Sequence, residues 1–482
     1  MKRLKCAKAA TPAIFLLPLI ITMIITFPAF ATEPTPGTDT SFLENSENFT
    51  FGGWIEGLGA WDTENDSPTE QSCLFRNRVR LESDWRHRFD LNNRLKVRIS
   101  LDSDYLKMGG GDKSYNDYNF TLHEGYLLFS HCNITTTIGR QIVRWGKTDQ
   151  LSPVNNLNPQ DLRLFILPEL EERKIPIWML RVQGFGNNWS WEGIYIPWFA
   201  NSDIDYFDSD WAIFRHLRED INRSSLPQEY KIYADKTMHV KRDKPAHTLG
   251  NGEFGGRVSF TLGRVDFSLS YLYGWENQPT IESFPIKNLE VDGSFSGDDL
   301  DLIPTIPDLI FTDENIRATY KRQQVTGFEF ETTIGNFGLR GEAVHFDRMA
   351  FLTSDLTSKR HPVFHTVVGV DYSGTNDWYC NLQVSYLKIM NYNSEILYFE
   401  DENIALMGKI SKHFFNHNLE LGLRYNYTIT DKSYYLEPKL TLKYFTDLNL
   451  ELGANFLGGD KDTLFGSFRN NDQLFVRIKY YF

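Results

Sequence analysis

The sequence predicts an all-β fold: a transmembrane antiparallel β-barrel of about eighteen strands, with short periplasmic turns and long extracellular loops. Three features predict it. Apolar and ionic residues alternate through most of the chain. The connections between alternating segments are short and long by turns. The final segment places Leu474, Val476, Ile478, Tyr480 and Phe482 at every second position, up to the C-terminal carboxylate.

Composition excludes the main competitors. The 482 residues include 36 Phe, 23 Tyr and 11 Trp, whereas disordered chains are poor in aromatics. Past residue 31 no apolar run reaches the ~18–20 residues of a spanning helix. Four cysteines are too few for a disulfide-built scaffold. A net charge of −13 argues against nucleic acid as a partner.

In chain order, Lys2, Arg3, Lys5 and Lys8 open a basic segment, Ala13 to Phe27 is almost wholly apolar, and Ala29-Phe30-Ala31 is a small-x-small cleavage site. This is the layout of a secretory signal peptide over residues 1–31, leaving 32–482 as the barrel. Cys6 lies in the basic segment, so it is no lipid-attachment cysteine. Cys73, Cys132 and Cys380 remain. The predicted layout puts Cys73 and Cys132 on opposite rims, beyond disulfide reach, and no functional disulfide is expected.

The strands follow from parity. Phe75, Val79, Leu81, Trp85 and Phe89 share one parity, and Arg76, Arg78, Arg80, Glu82, Asp84, Arg86 and Arg88 the other. Successive strand side chains point to opposite faces, so one face suits lipid and the other suits water. Leu95, Val97, Ile99, Leu101 and Tyr105 alternate in the same way with Arg94, Lys96, Arg98, Asp102 and Asp104, and Leu419 to Tyr427 repeats the pattern. Such segments begin near residues 50, 74, 93, 119, 133, 176, 188, 252, 264, 317, 336, 363, 377, 402, 418, 434, 447 and 472. These runs exceed the ~5–6 residues of ordinary strands and fit the ~9–11 of a tilted membrane strand with rim extensions.

Asp90–Asn92, His131–Cys132, Asn187, Gly263 and Gly335 mark tight turns, while 146–175, 199–251 and 276–316 are long loops, expected to be extracellular. An even strand count puts both termini on the short-turn side. The connection near Asp431–Ser433 breaks the rule, being short where a long loop is due.

The inward face supplies the candidate functional residues. Arg76, Arg78, Arg80 and Arg98 are expected to form a basic patch, with Glu82, Asp84, Asp102 and Asp104 nearer the short-turn rim. Glu329, Glu331, Arg340 and Glu342 form a second inward cluster. These charges either bias which solutes pass or pair with one another and keep the wall polar. Arg140 and Arg144 share parity with Ile134, Ile138 and Ile142, a conflict that a bulge near Gly139 would resolve.

In the loops, Ile213, Phe214, Leu217 and Ile221 fall at helical spacing within Asp210–Arg223, giving a candidate constriction or a simple loop cap. Residues 276–316 are strongly acidic; Asp298, Asp299 and Asp301 match no full calcium loop, and a solvated acidic loop is the preferred reading. Phe51, Trp54, Trp61, Trp189, Trp191 and Trp198 are candidates for aromatic girdles or loop-side contacts.

Gly250 to Gly255 matches GxGxxG but enters a strand, not a helix, so it is no dinucleotide site. His345, His361 and His365 lie close in sequence without metal-ligand spacing. No catalytic residue, cofactor or metal ligand is assigned, and no enzymatic activity is expected.

The stretch from Glu124 to about Trp275 resembles a bacterial outer-membrane family, domain of unknown function 1302 (DUF1302). The residues that carry it are GRQIVRWGKTD (Gly139 to Asp149), LNPQDLR (Leu157 to Arg163), IPIWMLR (Ile175 to Arg181) and GGRVSFTLGRVDFSLSYLYGW (Gly255 to Trp275). The resemblance implies a barrel and, through some relatives, uptake of hydrophobic compounds; it implies no site residues.

The expected function is a porin-like outer-membrane channel for passive or substrate-selective diffusion of small solutes. The alternatives are a transporter of hydrophobic compounds with a loop-gated pocket, or a non-conducting structural or adhesive barrel. The expected partners are outer-membrane lipid, a small solute and the outer-membrane assembly machinery, which would read the strand ending in Tyr480 and Phe482. A monomer and a homotrimer are both compatible with the sequence.

Overall fold

The computed structural model describes residues 48–63, 71–110, 114–215, 227–228, 231–232, 239–287, 310–311, 315–374 and 376–482. Eighteen strands form one sheet. They are β1 (Asn48–Asp62), β2 (Cys73–Arg88), β3 (Asn93–Gly109), β4 (Tyr115–His131), β5 (Ile134–Gln141) and β6 (Ile177–Phe185). Next come β7 (Trp189–Ile196), β8 (Glu253–Leu262), β9 (Val265–Trp275), β10 (Arg322–Ile334), β11 (Phe337–Leu352) and β12 (Ser358–Ser373). The last are β13 (Trp378–Ile389), β14 (Glu402–Phe414), β15 (Leu419–Thr428), β16 (Tyr434–Phe445), β17 (Leu448–Gly458) and β18 (Gln473–Tyr481). Every strand starts within five residues of its expected position. Parity fixes the strands because a slip of one residue would turn every ionic side chain into lipid.

Neighbours in sequence pair antiparallel all the way round, and β1 pairs with β18 to close the ring. At the seam Gly53 and Phe482 exchange backbone hydrogen bonds of 2.9 and 3.1 Å. Closure leaves no open ring edge, which matters in lipid because an unpaired N–H or C=O there finds no water.

The outer face carries exposed Leu127, Phe260, Leu269, Phe328, Val368 and Leu421. Alternation is visible within one strand: Phe328 is exposed and its neighbour Glu329 is buried on the inner side. Phe51, Trp189, Trp191 and Trp198 are exposed, and Trp61 meets Phe75 edge-on at 6.4 Å. Trp54 departs from the girdle reading. It shares the parity of Glu56 and is buried, and the cations of Arg78, Arg80 and Lys479 stand over its ring at 5.1, 4.9 and 4.2 Å.

All eight connections on one rim are tight turns, while the other rim carries the long connections 142–176, 197–252 and 276–321. The short connection 429–433 has company on that rim in 110–114 and 353–357. Cys73 stands at the long-loop rim, its thiol donating to the Gly109 carbonyl at 3.1 Å, and Cys132 lies in the β4–β5 turn; among the described residues neither these two nor Cys380 forms a disulfide.

Over the long-loop mouth, Val240–Asp243, Thr280–Ser283 and Ile316–Thr319 form a small separate sheet. Beneath it Tyr206, Phe207, Phe214, Ile281, Phe284 and Leu356 pack into an apolar cluster. Of the helix expected over Asp210–Arg223, residues 210–215 run through turns and bends, and 216–223 lie outside the described residues. Asp298, Asp299 and Asp301 also lie outside them.

The bulge expected at Gly139 is absent from the ladder. β4 and β5 pair without a register shift through Gly139, whose φ is +135°, and β5 ends at Gln141. Arg144 therefore leaves the wall with the loop, which removes its parity conflict. The bulge lies instead in β4, where Ser100 pairs with Glu124 and Leu101 with Leu122, skipping His123.

Candidate functional site at the inward loop

β5 stops at Gln141, whereas β4 continues against β3 as far as Tyr115. The chain leaves the wall at Ile142 and rejoins it at Ile177. Between these points, residues 142–176 reach three separate arcs of the inner wall.

The first anchor is Glu342 on β11. Its Oε1 accepts the backbone N–H of Lys147 at 2.6 Å and of Thr148 at 2.7 Å, and the Thr148 hydroxyl at 2.6 Å. Its Oε2 accepts the Val154 N–H and the Ser152 hydroxyl, both at 3.0 Å. Gly146 makes this turn feasible. Its φ is +94°, and a Cβ there would collide with Ser152 Oγ and lie 2.8 Å from Glu342 Oε1. Beside it Lys147 meets Glu331 at 2.7 Å, and Asp149 meets Arg340 at 2.9 Å; Asp371 sits 2.9 Å from the same guanidinium.

The second anchor is on β2 and β3. Arg76 holds Asp104 through two hydrogen bonds of 2.8 and 2.7 Å and reaches Asp161 of the loop at 3.1 Å. Arg163 of the loop holds Asp104 at 2.7 Å and Asp161 at 2.8 Å, and also pairs with Asp117 on β4. Burial would raise the Asp161 carboxyl, but its hydrogen bonds with Arg163 and the charges of Arg163 and Arg76 outweigh that and hold it well below the usual carboxylate range.

The third anchor is on β15 to β18. Arg424 donates to the Leu167 carbonyl at 2.5 Å, Lys439 stands 3.6 Å from Glu169, and Arg477 stands 3.5 Å from Glu172. A single helical turn, Leu170–Arg173, carries the loop past this arc. The two limbs are stitched by buried Lys174, whose Nζ donates to the carbonyls of Asn155 (2.7 Å) and Asn158 (3.3 Å). Burial pushes its ammonium down to about 7.

Apolar contact completes the docking. Val143, Trp145, Val154 and Leu157 pack against inward Ile177, Met179, Ile194, Leu272, Val325 and Val344. The indole Nε1 of Trp145 donates to Glu192 at 2.7 Å. Across the barrel Leu164 joins Leu106, Met108, Trp211 and Phe468. The loop thus covers apolar patches of the inner wall and is fastened between them by ionic contacts.

The register revises the expected charge layout. Because β3 runs antiparallel to β2, Asp104 lies opposite Arg78 and Asp102 opposite Arg80, while Arg98 lies opposite Asp84 toward the turn rim. The charges interleave instead of separating into a cationic and an anionic zone. Asp102 takes Arg80 at 2.5 Å and Arg78 at 3.4 Å; Arg98 takes Glu82, Asp84 and Glu124 at 3.1, 3.3 and 2.9 Å. In the second cluster Glu329 pairs with Arg257, not with its neighbours Glu331 and Arg340. Tyr480 and Phe482 stack at 6.4 Å beside the seam. His365 is buried against Ser385 at 2.8 Å while His345 is exposed, so they lie on opposite faces. No metal-capable group of ligands occurs among the described residues.

The wall residues are legible from strand parity, whereas their loop partners Lys147, Thr148, Asp149, Ser152, Asp161, Arg163 and Lys174 are not. One signal was available: alternation ceases after Gln141 while charge persists.

A family model described as a protein of unknown function, DUF1302, matches residues 59–482. The chain belongs to the DUF1302 family. No curated protein matches this DUF1302 chain. Among solved structures, OccAB3 of Acinetobacter baumannii aligns at TM-score 0.48 with 11% identity, covering 90% of this chain and 99% of that one. OccD3 (OpdP) of Pseudomonas aeruginosa aligns at TM-score 0.48 with 9% identity over 91% and 92%. The outer membrane channel DcaP of Acinetobacter baumannii aligns at 0.42 with 10% identity over 90% and 97%. These likenesses are of shape. Among the described residues no helix is long and apolar enough to cross a membrane; the apolar surface of this DUF1302 protein that suits lipid is the outer face of its strands.

Proposed function

We propose that this DUF1302 protein is a passive outer-membrane channel, not an enzyme, in which the docked 142–176 loop reduces a wide lumen to a narrow passage for small hydrophilic solutes. An unobstructed barrel of this strand number would leave a broad aqueous lumen. The observation that carries the reading is the three-arc docking, with Glu342, Arg76–Asp104 and Arg424 as its fixed points. A loop held at three arcs is a constriction, not a hinged flap.

The mouth favours hydrophilic solutes over apolar ones. Its apolar side chains are packed on one another, as Trp211 stacks on Phe468 at 5.5 Å. A cavity of about 200 Å³ beside the loop is lined chiefly by charged groups. The test is ion conductance of the refolded protein in planar bilayers. Discrete steps smaller than those of an unobstructed barrel support the reading; folded protein that inserts without conducting overturns it.

A further inference from the structure

The cavity beside the loop lies between residues 144–171 and the wall strands β14 to β16. Its two faces have opposite character. The loop face presents Asp149, Glu169 and Glu171 with Arg144, and the wall face presents Lys409, Arg424 and Lys439 with Glu437. Lys409 and Arg424 lie directly opposite each other across β14 and β15, and Lys409 is also paired with Glu420 at 3.3 Å.

These groups are not equally satisfied. Arg424 is held by Glu437, the Tyr435 hydroxyl and the Leu167 carbonyl. The Lys439 ammonium has its carboxylate neighbours Glu169, Glu437 and Glu451 at 3.6, 3.8 and 3.6 Å, longer than the ~2.7–2.9 Å of a charge-assisted hydrogen bond. Across from it Glu169 and Glu171 keep side-chain exposures of 53% and 51%, Glu171 while also paired with Arg144 at 3.0 Å. The ammonium can accept a carboxylate from a solute, and the two glutamates can accept an ammonium. The volume, about 200 Å³, matches roughly six or seven waters, or one solute of amino-acid size.

Resting on the channel reading above, we propose that this cavity is a selectivity site for small zwitterionic solutes. The anionic end faces Lys409 and Lys439, and the cationic end faces Glu169 and Glu171. A dipolar solute aligned with the field between the faces exchanges its hydration for contacts with both, whereas a neutral solute of equal size loses hydration without that return.

The experiment is swelling of proteoliposomes holding the full mature chain, with alanine and its uncharged isomer lactamide as probes. The expected result is alanine entry about five-fold faster than lactamide, a ratio set by the oriented charges alone. In Lys409→Gln/Lys439→Gln, and separately in Glu169→Gln/Glu171→Gln, the ratio falls to within about two-fold of unity. The second pair alters only the loop, so the test survives misfolding of the wall variant. Equal entry of the two isomers through the wild type overturns the proposal, as does an undiminished ratio in whichever variant folds. Entry of neither isomer overturns the channel reading itself.

Discussion

Thr148 binds the Glu342 carboxylate through both its backbone N–H, at 2.7 Å, and its hydroxyl, at 2.6 Å. The two residues stand 194 positions apart in sequence. This contact fastens a loop that starts at β5 to a strand six places further round the ring. Removing the carboxylate would leave the donors of Lys147, Thr148 and Val154 buried without an acceptor, at a cost of about 3–5 kcal/mol. Glu342→Ala is expected to release the loop and raise single-channel conductance several-fold, while heat-resistant gel migration reports an intact barrel.

Gly146 tests the same anchor from the loop side. A side chain at its φ of +94° is strained and meets Ser152. Gly146→Val is expected to cost about 1–3 kcal/mol and to give conductance intermediate between wild type and Glu342→Ala. A wild-type trace would show that the turn tolerates displacement.

The Asp161 latch sets an acid limit. Its carboxyl is held low by Arg163 and Arg76, so its contribution to docking is complete above the unfolded value of about 3.9 and is lost as pH falls below that through the docked value. Wild-type conductance should stay flat from neutral pH to about 4 and rise only below it. Asp161→Asn should show the raised conductance already at neutral pH.

Lys174 works in the other range. Docking lowers its ammonium from about 10.4 to about 7. A proton is therefore released on docking between these values. The docked loop gains stability as pH rises through this window and loses it as pH falls toward the lower value. Current fluctuations from transient undocking should become rarer from pH ~7 to ~10, and Lys174→Met should remove that trend.

Closure depends on the last residue. Phe482 exchanges two backbone hydrogen bonds with Gly53, each contributing about 0.5–1.5 kcal/mol. We propose that the strand ending in Tyr480 and Phe482 is also what the assembly machinery reads. Deleting Phe482 should lower the yield of heat-resistant barrel in cells more than it lowers refolding in detergent; equal losses would assign the residue to the seam alone.

The wall was legible in the sequence because lipid outside and water inside impose a period of two on every strand. Phe328 and Glu329 announce their faces without any neighbour. Pairing across strands is less legible: charge alone groups Arg98 with Arg76, Arg78 and Arg80, but antiparallel register carries it toward the turn rim, beside Asp84. The docked loop was least legible. Asp161 and Arg163 look like ordinary loop polarity until the fold brings them to Arg76 and Asp104. The motifs GRQIVRWGKTD and LNPQDLR, which carried the family resemblance, turn out to hold the anchors at Gly146, Thr148, Asp161 and Arg163.

Constriction by residues 142–176 is tested most directly by the conductance of a chain in which residues 147–172 are replaced by a short Gly/Ser linker, set beside the wild type in the same bilayer. Small steps are expected from the wild type and steps several-fold larger from the linker variant, with both proteins resistant to heat on gels. Equal steps from the two proteins would contradict constriction by the loop.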